Sequence, residues 1–107
     1  MGVNNSKIAE CAPELAATMT GGAVTIGSLV FNPVQIIFDN QGTVSVAIST
    51  NGGSTTWRTF PGGEALVLDM RGNHGIADNY TFPIGTTFTG TGASGVFSIS
   101  YTYALDI

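Results

Sequence analysis

One histidine, His74, and one cysteine, Cys11, are all the imidazole and thiol this chain of 107 residues contains. A zinc site needs several nitrogen, sulfur or carboxylate ligands at close spacing, so this inventory argues against one. Calcium would have to draw on Asp39, Asp69 or Asp78 with loop carbonyls, but these aspartates stand in separate stretches and form no acidic loop. The serines have only His74 as an imidazole base, and His74 lies in the turn-forming run Gly72-Asn73-His74-Gly75. Paired carboxylates for sugar hydrolysis would have to come from Glu64 and Asp69. At that odd spacing on a strand they face opposite sides. The pairs Gly52-Gly53 and Gly62-Gly63 neither precede a helix nor lead to a lysine, so they read as hairpin turns rather than phosphate loops. No enzyme activity, metal or cofactor is expected.

Trp57 has a different chemistry on offer. An exposed tryptophan can stack on a sugar ring or anchor an interface, whereas a buried one closes the end of a core. Thr55 and Thr59 flank it with polar side chains, which favours partial exposure. Trp57, Tyr80 and Tyr103 together would make a stacking platform for a carbohydrate-binding module. Few charged or amide groups are present to fix sugar hydroxyls, and Tyr103 follows the inward alternation of its strand.

The composition narrows the class. Apolar residues make up 43% and charged residues only 9%, against roughly a quarter charged in ordinary soluble domains. Thr (14), Ser (8), Asn (7) and Gly (15) take their place. Such a chain folds, because disorder goes with abundant charge and few β-branched residues. A neutral polar surface is desolvated at small cost, which suits packing against other subunits. The net charge is −4, with Lys7, Arg58 and Arg71 the only bases. That leaves no basic stripe for nucleic acid and no patch for anionic lipid. No apolar run approaches a membrane span, and no secretory signal is expected. Asn4-Asn5-Ser6 and Asn79-Tyr80-Thr81 match the glycosylation pattern, which means little without secretion. A lone cysteine fits manufacture in reducing cytosol.

These residues need elements to position them. From Ala23 onward the hydrophobic period is two: Val44, Val46 and Ile48 alternate with Thr and Ser, and so do Phe97, Ile99, Tyr101 and Tyr103. Leu66, Leu68 and Met70 make a third inward set, with Ser45 and Ser98 expected outside. Further strands are expected over 24–31, 34–39, 55–60, 80–82 and 86–91, separated by Gly, Pro and Asn turns such as Asn51-Gly52-Gly53. Seven or eight short strands of this kind predict an all-β antiparallel β-sandwich or small barrel over 23–107, with a jelly-roll sandwich favoured. Residues 1–22 are Ala-rich and read as an N-terminal arm. A short helix is expected at about 13–19, with Pro13 in its first turn and Thr20-Gly21-Gly22 ending it.

The run from Val44 through Asn51-Gly-Gly to Trp57, then Phe60-Pro-Gly-Gly, Leu66-Val-Leu-Asp-Met-Arg-Gly-Asn73 and the ending Gly95-Val-Phe-Ser-Ile-Ser-Tyr-Thr-Tyr-Ala104, resembles small virion proteins of tailed bacteriophages. The likeness covers roughly residues 34–104 and rests on turns and core strands rather than catalytic groups. It implies a structural component of the virion, made in the host cytoplasm. Capsid decoration (cement) comes first, a neck or tail accessory role second. The implied partner is the major capsid protein. Self-association is also expected, as a trimer because capsid lattices offer threefold sites. Candidate contact residues are Trp57, Arg58, Arg71 and His74, with Ile8 and Leu15 on the arm.

Overall fold

Alternation along the chain becomes nine strands in the computed structural model, which describes residues 7–52, 55–69 and 82–106. They are β1 (Lys7–Cys11), β2 (Leu15–Thr18), β3 (Ala23–Ser28), β4 (Pro33–Asn40), β5 (Val46–Ser49), β6 (Arg58–Phe60), β7 (Ala65–Asp69), β8 (Thr87–Gly92) and β9 (Val96–Asp106). No helix occurs among the described residues. The molecule is an antiparallel β-sandwich.

One sheet runs β1-β9-β4-β7, with β2 also on β9; the other runs β3-β8-β5-β6. Every strand pair is antiparallel. Strands β1 and β2 share one edge of β9 end to end: β1 pairs with residues 102–106 and β2 with 96–99. The pairing is therefore nested. The first lane meets β9, β3 meets β8, β4 meets β7 and β5 meets β6, with alternate pairs in alternate sheets. A long two-stranded ribbon with its tip at Asn51-Gly52 gives this order when it rolls over itself. Gly52 supplies the positive φ of that tip (78°).

The helix expected at about 13–19 does not form; Leu15–Thr18 is strand β2. Helix propensity is a weak prior, and so short a helix is marginal without packing. The long strand β9 offers an unpaired edge here, and Leu15 and Ala17 alternate inward while Ala16 and Thr18 face water. Pro13 falls in the gap between β1 and β2, where a missing N–H breaks no ladder bond. Ala12 N–H donates to Tyr101 O (2.9 Å) and Met19 N–H to Gly95 O (2.7 Å), so the lane holds on both sides of the gap.

The core is aromatic and centred on Phe38. Phe60 and Phe88 lie 5.7 and 5.5 Å from it, centroid to centroid, and Phe97 lies 5.1 Å from Phe60. Met19, Ile26, Leu29 and Ile36 share the interior with Val46, Ile48, Ile99 and Tyr101, and the alternation of Val46/Ile48 and Phe97/Ile99/Tyr101 predicts the latter set. Each such side chain contributes roughly 1.5–3 kcal/mol through burial. Val44 is only half-buried, and Leu66 and Leu68 pack against the core from its margin. Met70 lies outside the described residues. Ser98 corrects the expected pattern: it points to the outer face yet is 3% exposed, because Gln41 Nε2 donates to its hydroxyl (3.0 Å) and lies over it.

At one end the two sheets are joined through Asn40, whose side chain is buried. Its Nδ2 donates to Val44 O (2.9 Å), Phe60 O (3.0 Å) and Pro61 O (3.1 Å), while its Oδ1 accepts from Gly42 N–H (3.1 Å). The run Pro61-Gly62-Gly63 is not the hairpin expected. It carries the chain from β6 in one sheet to β7 in the other. A Cβ on Gly62 would lie 2.4 Å from the carbonyl carbon and oxygen of Thr43, so only glycine admits this crossing.

Candidate functional site

The opposite end of β4 leads to an exposed apolar face. Strand β3 ends at Ser28, sooner than the run to Phe31 suggests, and residues 29–32 bend over the end of the sandwich. Gly85 N–H donates to Leu29 O (2.8 Å) and Leu29 N–H to Thr86 O (3.0 Å), which ties this bend to the turn at 83–86. Tyr101 reaches up from the core and accepts at its hydroxyl from Val30 N–H (3.1 Å). With the backbone so held, Val30 and Ile84 remain 60% and 57% exposed. Phe31 lies flat on Tyr103, centroids 3.8 Å apart and planes within 8°. Phe31, Asn32, Pro33, Val34, Ile84 and Tyr103 line an open groove of about 390 Å³. The patch is preorganised, so covering it would order little further chain.

Trp57 is neither wholly core nor wholly exposed. Its indole is 38% exposed, and its inner side packs on Phe38 (5.1 Å), Phe82 (5.4 Å) and Phe60 (6.2 Å). The backbone N–H of Trp57 donates to Ile48 O (2.7 Å), which fixes the approach to β6. Arg58 follows it, with its guanidinium 5.2 Å from the Phe60 centroid and 3.3 Å from Glu64 Oε1. Both partners of that pair are well exposed, so it contributes little to stability. Leu15 sits half-buried against the core, over Gly27. Ile8 lies in β1 opposite Leu105. Arg71 and His74 lie outside the described residues, as does Tyr80.

The structure thus brings Trp57 and Arg58 together and places Leu15 in the packing of the fold. The reading from sequence passed over Val30, Phe31 and Ile84. Their signal was available: apolar side chains beside Asn32-Pro33 and Pro83, where the chain must turn and cannot bury them. The sugar platform fares less well, since one ring face of Tyr103 is taken by Phe31.

The outer face of the β3-β8-β5-β6 sheet accounts for much of the unusual composition. Ala23, Thr25 and Ser28 of β3, Thr87, Thr89 and Thr91 of β8, Ala47 and Ser49 of β5 and Thr59 of β6 share the outward phase in register, with Ser49 and Thr89 buried within it. None of them is charged. Ser28 and Thr87 share a hydrogen bond of 2.7 Å across the strands. The other outer face carries Asp39, Asp69 and Glu14 among Gln35, Ile37, Val67, Ser100 and Thr102. Among the described residues no group of three or more His, Cys, Asp or Glu could hold a metal ion, and no helix is long and apolar enough to cross a membrane.

Comparison with protein-family models, with characterised proteins and with solved structures finds no match.

Proposed function

We propose that this chain is a non-enzymatic structural protein of a bacteriophage virion, acting as a decoration (cement) protein on the assembled capsid. The observation that carries the reading is the pairing of a charge-free Ser/Thr sheet face with a preorganised apolar end patch on one small sandwich. We read the nested strand order as an eight-lane jelly roll, a frame that suits rigid display of such surfaces. The resemblance of residues 34–104 to phage virion proteins supplies the context. On this reading the domain buries neutral and apolar surface across neighbouring capsid subunits. Binding only the assembled lattice then stabilises that lattice by mass action. A neck or tail site would use the same surfaces.

The test is to mix purified protein with capsids that lack it and to measure co-sedimentation and the temperature of shell rupture. Binding to assembled shells, and not to free capsid subunits, is expected. Affinity should change little with salt, because few ion pairs are available to screen. Trp57→Ala or Ile84→Ser should weaken binding by about 2 kcal/mol if the residue is a hot spot. Co-purification with tails or necks would move the site, and binding to a defined glycan alone would overturn the structural role.

A further inference from the structure

A two-sheet sandwich has four edge strands, and each exposes a row of backbone N–H and C=O groups that can recruit another chain. Three edges here carry protection. The β1/β2 edge is interrupted at Pro13 and begins with Lys7. The β3 edge is broken by a register shift between Thr25 and Gly27, where Leu15 packs over Gly27. The β6 edge is three residues long and carries Arg58. The β7 edge has none of these devices. Ala65-Leu66-Val67-Leu68-Asp69 holds five consecutive register partners on β4, with no proline, glycine, bulge or base.

The direction of its backbone groups follows from the ladder. Asn40 N–H donates to Glu64 O (2.9 Å), which makes Asn40 and Glu64 a hydrogen-bonded pair. Such pairs alternate along an antiparallel ladder, so Leu66 and Leu68 turn their N–H and C=O toward Phe38 and Ile36. On the other side of β4, Gln41 N–H donates to Val96 O (2.9 Å), which agrees with this phase. Ala65 and Val67 therefore direct their backbone groups away from β4. The Val67 side chain is 53% exposed on the outer face, and Leu66 and Leu68 are only half-buried on the inner one.

We infer that β7 pairs antiparallel with β7 of a second copy of this chain across a twofold axis at Val67. The strand is self-complementary in that register. The two Val67 residues exchange both backbone hydrogen bonds, and Leu66 falls beside Leu68 of the second copy. Each Asp69 faces Ala65 rather than another acid, so no like charges are opposed. The two β1-β9-β4-β7 sheets become one continuous sheet, and the half-buried leucines gain cover. An isologous strand pair closes at two, which sets the number against the threefold one that lattice symmetry suggests. Five residues a side make a small interface, with a Kd expected on the order of micromolar. The inference is independent of the proposed place in a virion.

The test uses sedimentation of the full chain over a concentration series, with Val67→Pro and Val67→Lys as variants. Proline at Val67 removes an N–H that β4 does not use, so the sandwich should fold with its circular dichroism and melting temperature nearly unchanged. The parent should show a monomer–dimer equilibrium; Val67→Pro should raise Kd roughly 10- to 100-fold, the scale of one or two lost hydrogen bonds, and Val67→Lys should raise it by setting two like charges opposite each other at the axis. Hydrogen exchange at the Val67 amide should slow with rising concentration in the parent. Should the proline variant fail to fold, the lysine variant and the exchange rate carry the test. A parent that stays monomeric, or forms a trimer, would overturn the inference. So would a Val67 amide protected equally at all concentrations, which would mean that the chain covers this edge itself.

Discussion

The two ends of β4 solve opposite problems. At Asn40 every polar group is matched inside the protein, and glycines let backbones touch: a Cβ on Gly95, which has φ +91°, would stand 2.8 Å from Gly42 Cα. At Pro33 the chain ties its loops with backbone hydrogen bonds, then leaves Val30, Phe31 and Ile84 facing water. The first end spends its side chains on holding two sheets together. The second keeps apolar surface uncovered although a rearranged loop could hide some of it. One end is therefore closed by side-chain hydrogen bonds, and the other leaves apolar surface in water.

The largest effect should come from the closed end. Asn40→Ala leaves the Val44 and Phe60 carbonyls and the Gly42 N–H without their Asn40 partner, while Pro61 O keeps the Glu64 N–H, and should cost about 3 kcal/mol, since each unsatisfied group shut away from water costs roughly 1–3 kcal/mol. Urea unfolding measures this directly; a loss under 1 kcal/mol on that scale would show that water enters the corner easily. Gly62→Ala should follow at about 1–3 kcal/mol, the range for overpacking, because the atoms in its way are Thr43 backbone. A melting temperature equal to the parent's would mean that the crossing loop is soft.

Changes at the open end should be smaller in stability. Phe31→Ala removes the stack on Tyr103 and should cost about 1 kcal/mol, the scale of an aromatic pair. Ile84→Ser should change unfolding free energy by less than about 0.5 kcal/mol, as is usual for exposed sites. The contrast sharpens if Ile84→Ser abolishes shell binding while leaving the melt untouched. It breaks if Ile84→Ser destabilises as much as Asn40→Ala, for then the patch would be part of the frame.

Trp57 lies between these regimes. Its inner side belongs to the Phe38 cluster and its outer side to the surface, so either role argued from Thr55 and Thr59 alone is half the answer. A period of two assigns faces but carries no information on how far along a face the core extends. Tyr103 makes the same point, for it keeps the inward phase of β9 yet passes beyond the core to stack on Phe31. Ser98 is the converse, an outward residue that a neighbouring glutamine covers.

What the sequence by itself determined is the class: strict alternation, Gly and Pro punctuation and the β-branched and aromatic content point to an all-β antiparallel fold, sandwich or small barrel. It also located the Val46/Ile48 and Phe97/Ile99/Tyr101 core, because alternation in a half-buried strand is a local property. Tertiary structure decided the rest. Leu15–Thr18 became a strand because β9 presented an open edge, and no local propensity encodes the presence of a distant edge. Pro61-Gly62-Gly63 became a crossing because Asn40, some twenty positions earlier, collects the carbonyls of β6 and its turn. The apolar end patch arose because two turns far apart in sequence are tied by Leu29, Gly85 and Thr86, and that contact brings Phe31 and Ile84 to one groove.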